Sequence, residues 1–322
     1  MIEKLLDLCR DKKELYIQTH DFPDPDAISS GYALYELLKL NGISAKFVYV
    51  GKIDRISTER MVTLFDIPIE PFDGNYKEGD YVICIDSQKN TGNVLQKGGN
   101  VFACIDHHPT KTQEDYDYKQ VDLMGACATV MTREYMALGV EMPAALATAL
   151  LYGLKMDTLQ FSRGVKDDDI TVFSYLLKRA DPEKLRFLET SNLILSDLRA
   201  FGIAIENIKV ISDIGLSYVP FDCPDGLVSA LSDFMLSIDE LSIAIVFSQR
   251  EQGIKLSVRS ILPYVDAGIL TRIALEGIGS GGGHPSFAGG YIPLSKMQGT
   301  QDEWFDDLKM RFMNAYREVM MK

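Results

Sequence analysis

The chain has 322 residues, and 33 basic against 46 acidic side chains leave a formal net charge of −13. Its 46% hydrophobic and 25% charged content excludes a wholly disordered, collagen-like or coiled-coil chain, and the length predicts one large globular domain or two ordinary ones. The acidic balance disfavours sequence-independent binding of long duplex nucleic acid. A short anionic substrate, held by metal ions or a local Arg/Lys cluster, remains compatible with it.

The N-terminal stretch is charged throughout and lacks an apolar h-region with a small-residue cleavage site. No run reaches the roughly 18 apolar residues that span a bilayer. The five cysteines, Cys9, Cys84, Cys104, Cys127 and Cys223, are scattered and never spaced CxxC. They are expected as reduced, buried thiols of a cytoplasmic protein with no membrane partner.

In chain order, Leu15–Thr19 reads as a strand, and Ala27–Asn41 as a helix with Gly42 just past its end. Ala45–Val50, Tyr81–Asp86 and Val101–Asp106 read as further strands, most of them nearly continuous apolar runs, which suits a parallel sheet buried on both faces. Such alternation predicts an α/β, doubly wound N-terminal domain. Gly125–Leu138, Ala144–Met156 and Asp168–Lys178 carry helical spacing, with Pro143 and Pro182 at helix ends. Thr190–Asn207 reads as a helix bridging two bodies. Beyond it come a hairpin-like pair around 208–221, a helix near Leu227–Leu236, and two strands flanking Glu251-Gln252-Gly253. A helix over about Asp266–Glu276, a glycine-rich loop and a short strand at Gly290–Leu294 follow. The resulting division is 1–190, a linker helix at 191–205, and 206–322.

Chemistry-bearing residues gather at the ends of these elements. His20, Asp24 and Asp26 follow the first strand, Asp86 ends the Tyr81 strand, and Asp106, His107 and His108 end the Val101 strand. Asp157 follows the apolar stretch Ala149–Met156. In an open α/β sheet, ligands bind outside the carboxyl ends of the strands, so these side chains are expected near one another. A single Asp at such a place is ordinarily a turn residue or helix cap. Three of the four histidines, sharing two strand-end segments with four aspartates, are not so explained. Imidazoles with carboxylates suit Mn²⁺, Mg²⁺, Zn²⁺ or Fe²⁺. The fourth histidine lies in Gly281-Gly282-Gly283-His284, where glycines permit close backbone approach to a phosphate. Gly277–Gly282 formally fits GxGxxG, but a helix precedes it and a strand follows, the reverse of a dinucleotide fingerprint.

These motifs together resemble the DHH/DHHA1 phosphoesterase superfamily. The match is carried in order by His20-x3-Asp24-x-Asp26, Asp86, Asp106-His107-His108, Asp157-Thr158 and Gly281-Gly282-Gly283-His284, with Ser257-Val258-Arg259-Ser260 resembling a substrate-facing strand. The pattern is most similar to the nanoRNase group, which hydrolyses short oligoribonucleotides and 3′-phosphoadenosine 5′-phosphate. Pro25 departs from it, standing between the paired aspartates where a small residue such as Gly is expected, and it should stiffen that loop.

The resemblance implies a smaller C-terminal α/β domain with a mixed sheet, and an active site in the cleft between the domains. It implies two divalent cations, foremost Mn²⁺, with Mg²⁺ or Co²⁺ as substitutes. One would take His20, Asp24 and Asp86; the other would take Asp26, Asp86, His107 and Asp157, with Asp86 shared. His108 would face the phosphate, with Asp106 orienting a neighbouring histidine. Arg259, Ser260, Gly281, Gly282, Gly283 and His284 would bind the substrate, a short RNA or nucleotide phosphate. A homodimer is compatible with the family. Three alternatives stand beside this reading: an inorganic pyrophosphatase or exopolyphosphatase, a cyclic- or linear-dinucleotide phosphodiesterase, and a nucleotide sensor without turnover.

Overall fold

The computed structural model describes residues 2–110, 114–190, 193–297 and 299–321. The chain forms two compact units, Met1–Asn192 and Leu193–Lys322.

Unit 1 runs α1 (Ile2–Cys9), β1 (Leu15–Gln18), α2 (Pro25–Leu40), β2 (Lys46–Tyr49), α3 (Ile56–Leu64), β3 (Ile69–Pro71), β4 (Tyr81–Ile85), β5 (Asn100–Asp106), β6 (Tyr118–Val121), α4 (Cys127–Leu138), α5 (Ala144–Asp157), α6 (Asp167–Leu177) and α7 (Pro182–Thr190). Its six strands lie in the order β3-β2-β1-β4-β5-β6, every neighbouring pair parallel. This is the doubly wound order, with its reversal between β1 and β4.

Alternation along the strands divides the two faces. Leu15, Ile17, Ile83, Ile85 and Ile105 join the large core with residues of α1, α2, α4 and α5. Tyr16, Val82, Cys84 and Cys104 point the other way, into a smaller cluster closed by Phe72, Tyr76 and Tyr116 of the connecting segments. Strands buried on both faces need no polar alternation, which is why they read as apolar runs. All five cysteines are buried free thiols, and burial pushes those of Cys84 and Cys104 up to about 12. No helix among the described residues is long and apolar enough to cross a membrane.

Two local features set the site. Pro25 is the first residue of α2, where its missing N–H and fixed φ suit the helix. Asp24 before it is the N-cap, accepting from Asp26 N at 2.9 Å and Ala27 N at 3.0 Å. The stiffening expected of Pro25 therefore serves to start the helix. Gly153 lets α5 close on α2: a Cβ there would lie 2.4 Å from Ser29 Oγ and 3.0 Å from Asp26 Cα.

Unit 2 comprises α8 (Leu198–Glu206), β7 (Lys209–Ile211), β8 (Ile214–Val219), α9 (Asp225–Leu236), β9 (Ile243–Arg250), β10 (Gly253–Ser260), α10 (Ala267–Ala274), β11 (Ser280–Gly283), β12 (Phe287–Pro293) and α11 (Gln301–Met320). The sheet order is β11-β12-β10-β9-β8-β7, mixed because β8 and β9 alone run parallel. One face packs α10 and α11, the other α8 and α9.

Two expectations are corrected here. The helix expected over Thr190–Asn207 is shorter: Leu195–Asp197 is a 3-10 turn and α8 begins at Leu198, while residues 191–192 lie outside the described residues. The glycine-rich segment is not a loop. Gly281, Gly282 and Gly283 pair with Gly290, Gly289 and Ala288 as an edge strand. Pairing with β12 decides this against the low strand preference of glycine, and α10 lies so close that a Cβ on its Gly268 would meet Gly283 O at 2.6 Å. Thr300 and Glu303 form a capping box at the start of α11.

Candidate metal centre

The carboxyl ends of β1, β4 and β5 meet at the reversal of strand order, where an open α/β sheet leaves a crevice. His20 lies two residues past β1, Asp86 directly follows β4, and Asp106 ends β5 with His107 and His108 after it. The helices supply the rest: Asp24 caps α2, Asp26 sits in its first turn, and Asp157 is the last residue of α5. Asp86 has a left-handed backbone, φ 54°, which Asp and Asn adopt more readily than bulkier residues. That turn brings the side chain back over the strand ends.

The six expected ligands converge. His20 Nε2 is 3.6 Å from Asp86 Oδ2 and 4.0 Å from Asp24 Oδ1. His107 Nε2 is 3.3 Å from Asp86 Oδ1, 3.4 Å from Asp157 Oδ2 and 3.8 Å from Asp26 Oδ2. Two donor groups result, His20-Asp24-Asp86 and Asp26-His107-Asp157, each with its donor atoms within 4.8 Å of one another. Asp86 faces both, one oxygen to each histidine.

The imidazoles are oriented by main-chain carbonyls. His20 Nδ1 lies 2.9 Å from Asp21 O, and His107 Nδ1 lies 3.1 Å from Met124 O. A carbonyl only accepts, so each ring carries N–H at Nδ1, and in the neutral ring the Nε2 lone pair faces the carboxylates. This is the arrangement of metal-binding histidines. Asp26 is held by the N-terminus of α4: Oδ2 accepts from Cys127 N at 2.7 Å and Oδ1 from Ala128 N at 2.8 Å.

Electrostatics favour a cation here. Burial, then the charge of Asp86, pushes the Asp26 carboxyl well above the carboxylate range. Burial and the charges of Asp24 and Asp86 raise Asp157 to about 6, against the pull of His107. Burial disfavours charge on His107, but Asp86, Asp26 and Asp157 outweigh it and raise its pKa well above the usual histidine value. Such a site holds protons wherever no other cation neutralises it. Asp86 Oδ1 is buried and accepts no hydrogen bond of good geometry, even with His107 Nε2 nearby, so a buried acceptor awaits a partner. Four carboxylates with two imidazoles are hard-to-borderline donors and fit Mg²⁺ or Mn²⁺.

His108 belongs to a different arrangement. Although it lies near Asp86 and His107, its Nδ1 is 2.9 Å from Asp106 Oδ1. Burial works against ionisation of Asp106, but hydrogen bonds from His108 and Gln88 lower its pKa, so it accepts as a carboxylate. His108 Nδ1 therefore carries the proton and cannot ligate. Its own pKa is raised, since Asp106 and Asp86 outweigh the cost of burial. Its side chain is 42% exposed, within reach of a substrate.

Three supporting residues were not singled out from the sequence. Gln88 donates to Asp106 Oδ2 at 2.7 Å and to His108 O at 3.2 Å. Buried Asp169 accepts from Gly125 N, Thr129 Oγ1 and Lys166 N, fixing the segment that leads into α4. Arg163 binds Asp157. All three act across long sequence separations or tight turns that no motif announces.

Asp106→Asn tests the pairing, since an amide neither holds the His108 proton as firmly nor favours its charge. We expect kcat to fall about 100-fold, the scale of a lost acid–base group, with metal content unchanged. Equal kcat in the variant would remove the Asp106–His108 pairing from the chemistry.

The residues expected to bind substrate lie in unit 2. Arg259 is 13% exposed and binds Asp233 on α9, with further hydrogen bonds to Ser257 Oγ and Val258 O. Phe287 lies opposite it on β12, 5.8 Å from the guanidinium. Ser260 is buried and its hydroxyl accepts from Leu262 N, a turn-forming use of the side chain. The His284 ring lies 4.7 Å from that of Phe287. Gly281, Gly282 and Gly283 bring backbone rather than side chains to the edge of the sheet.

A doubly wound sheet with a carboxylate–imidazole cluster at its strand reversal defines a class of α/β proteins with a polar site at the switch point. Within that class, residues 14–154 match the family described as DHH family, N-terminal domain, and residues 212–309 match the DHHA1 domain. The chain belongs to the DHH family and carries a DHHA1 domain. The first match stops at residue 154, short of Asp157, which is placed by the geometry alone.

An uncharacterized protein of Methanocaldococcus jannaschii is 28% identical over 296 residues, covering 91% of this chain and 60% of its own length. The chain thus spans less than two thirds of that relative. A probable manganese-dependent inorganic pyrophosphatase of Bacillus licheniformis is 30% identical over 146 residues, 44% of this chain and 47% of its own length. The crystal structure of an exopolyphosphatase-related protein from Bacteroides fragilis superposes with a TM-score of 0.77 at 20% identity, covering 99% of this chain and 97% of its own. RecJ from Thermus thermophilus in complex with Mn²⁺ gives 0.57 at 15% identity, covering 97% of this chain and 54% of that one. At these identities the likeness to the solved structures is one of fold.

Proposed function

We propose that this protein is a divalent-metal-dependent phosphoesterase acting on short oligoribonucleotides and on 3′-phosphoadenosine 5′-phosphate. The carrying observation is Asp86, whose two oxygens face two separate histidine–carboxylate groups while one of them is buried without a hydrogen bond. His20, Asp24 and Asp86 would hold one cation, foremost Mn²⁺; Asp26, Asp86, His107 and Asp157 would hold another. Bound there, the cations supply Lewis acidity and neutralise phosphoryl charge. The main-chain carbonyls of Asp21 and Met124 keep both ligand imidazoles in the required tautomer. Asp106 holds a proton at His108 Nδ1, so the imidazole can stabilise charge on a phosphoryl oxygen or pass a proton to the leaving oxygen. In unit 2, Arg259 and His284, the residue after the edge strand, are the candidates proposed to bind a nucleotide.

A second reading is favoured by the pyrophosphatase relative: the same centre acting on inorganic pyrophosphate. A substrate panel with Mn²⁺ separates them. RNA of about two to five nucleotides, 3′-phosphoadenosine 5′-phosphate, pyrophosphate and a linear dinucleotide would be compared by kcat/KM. Preference for the nucleotides of at least about tenfold, a difference of 1.4 kcal/mol in transition-state binding, is expected. Preference for pyrophosphate would overturn the nucleotide reading, and no hydrolysis of any of them would overturn the enzyme.

A further inference from the structure

We propose that Arg163 is a positioning residue that divides the two oxygens of Asp157, fixing one and leaving the other for a cation; the inference rests on the cation-binding reading above. Asp157 stands at the C-terminal end of α5, the negative end of the helix dipole, among Asp24, Asp26 and Asp86. Repulsion there should turn an unheld carboxylate towards solvent. The chain beyond it is built to prevent this.

Thr158 is the C-cap of α5, its hydroxyl donating to Leu154 O at 2.6 Å and accepting from Phe161 N at 3.2 Å. Leu159, Gln160 and Phe161 then adopt φ values of 46°, 55° and 67°. Left-handed backbone is unfavourable for each such residue, and three in succession, none of them glycine, persist only where the surroundings impose them. The reversal brings Arg163 back to the end of the helix. Its amide donates to Thr158 O at 2.9 Å, and its guanidinium donates to both Asp157 O and Asp157 Oδ1, the latter at 3.0 Å.

Asp157 is thereby held at two points. Oδ1 and the main-chain carbonyl are bound to Arg163, while Oδ2 lies 3.4 Å from His107 Nε2. Both bonds are donated by Nη2, whose two hydrogens lie in the fixed guanidinium plane, a pre-organisation that the freely rotating ammonium of lysine lacks. The charge of Arg163 repels a nearby cation, but its side chain is 28% exposed, and solvent screens charge more than it loosens a direct hydrogen bond. Orientation therefore outweighs repulsion, and loss of Arg163 weakens binding.

The test is Mn²⁺ binding by calorimetry to the full chain and to Arg163→Gln, Asp157→Ala and the double variant. Arg163→Gln should weaken the Asp157-dependent site about tenfold, as loss of an outer hydrogen-bond partner of a ligand does. In the Asp157→Ala background it should add less than about twofold, because the residue it acts through is gone. Wild-type affinity in Arg163→Gln, or the same loss in both backgrounds, would overturn the proposal. Should Arg163→Gln fail to fold, Arg163→Lys keeps the charge without the planar guanidinium; unchanged affinity in it is equally fatal. A wild-type chain that binds no Mn²⁺ overturns the cation-site reading itself, a separate outcome.

Discussion

Asp86→Asn is expected to reduce hydrolysis by on the order of a thousandfold or more and to lower bound metal, while leaving the fold intact. Among the described residues, Asp86 is the carboxylate whose two oxygens face both histidine groups, so on the proposed two-cation reading its loss disturbs both cations together. Charge stabilisation by bound cations amounts to several kcal/mol, and each 1.36 kcal/mol is tenfold in rate. Asparagine is the informative substitution because it keeps the volume and tolerates the left-handed backbone at φ 54°, whereas alanine would add backbone strain to the chemical loss. Rate and metal content are measured on the same preparation, with circular dichroism as the check on folding. Wild-type metal content in Asp86→Asn would show that Asp86 is not shared between cations.

The second large effect is on stability. Unit 1 buries Asp26, Asp86 and Asp106, and the charges of Asp86, Asp157 and Asp24 bear on Asp26. Ions that bind the folded state alone stabilise it by about 2.7 kcal/mol each at a hundredfold excess over Kd. Two such ions contribute about 5 kcal/mol, which for a unit ending at Asn192 is a rise in Tm of roughly 10–20 °C. Calorimetry in Mn²⁺ against chelator measures it. Asp86→Asn should lose most of the rise, and if the units unfold separately, only the transition of unit 1 should move. A wild-type shift below about 2 °C, less than one kcal/mol by the same scaling, would contradict tight cation binding.

The candidate centre was legible because parallel strands and their ends are local features. Apolar runs such as Tyr81–Ile85 mark strands buried on both faces, and an acid or histidine immediately beyond such a run sits at the carboxyl edge wherever the strand lies in the sheet. His20, Asp86 and His107 could thus be grouped without coordinates. The separation of roles within His107-His108 could not. Adjacent residues of one type differ here only because Met124 O faces one ring and the Asp106 carboxylate the other.

Other features depended on close approach between distant segments. The amides that hold Asp26 lie about a hundred residues away, at the start of α4. Arg163 reaches Asp157 through three left-handed residues that no turn signature marks. The strand at Ser280–Gly283 goes against local preference and is made by pairing with β12, with α10 so close that a Cβ on Gly281 would meet Thr271 Cγ2 at 2.6 Å.

By itself, the sequence determined the α/β class, the order of the strands' chemical ends and the set of ligand candidates, since apolar periodicity and residue type are carried by the chain locally. Only the tertiary structure decided which oxygen faces which nitrogen, which histidine keeps its Nδ1 proton against a carboxylate, and where glycine forms a strand. Those outcomes follow from hydrogen bonds and steric contacts between segments far apart in the chain.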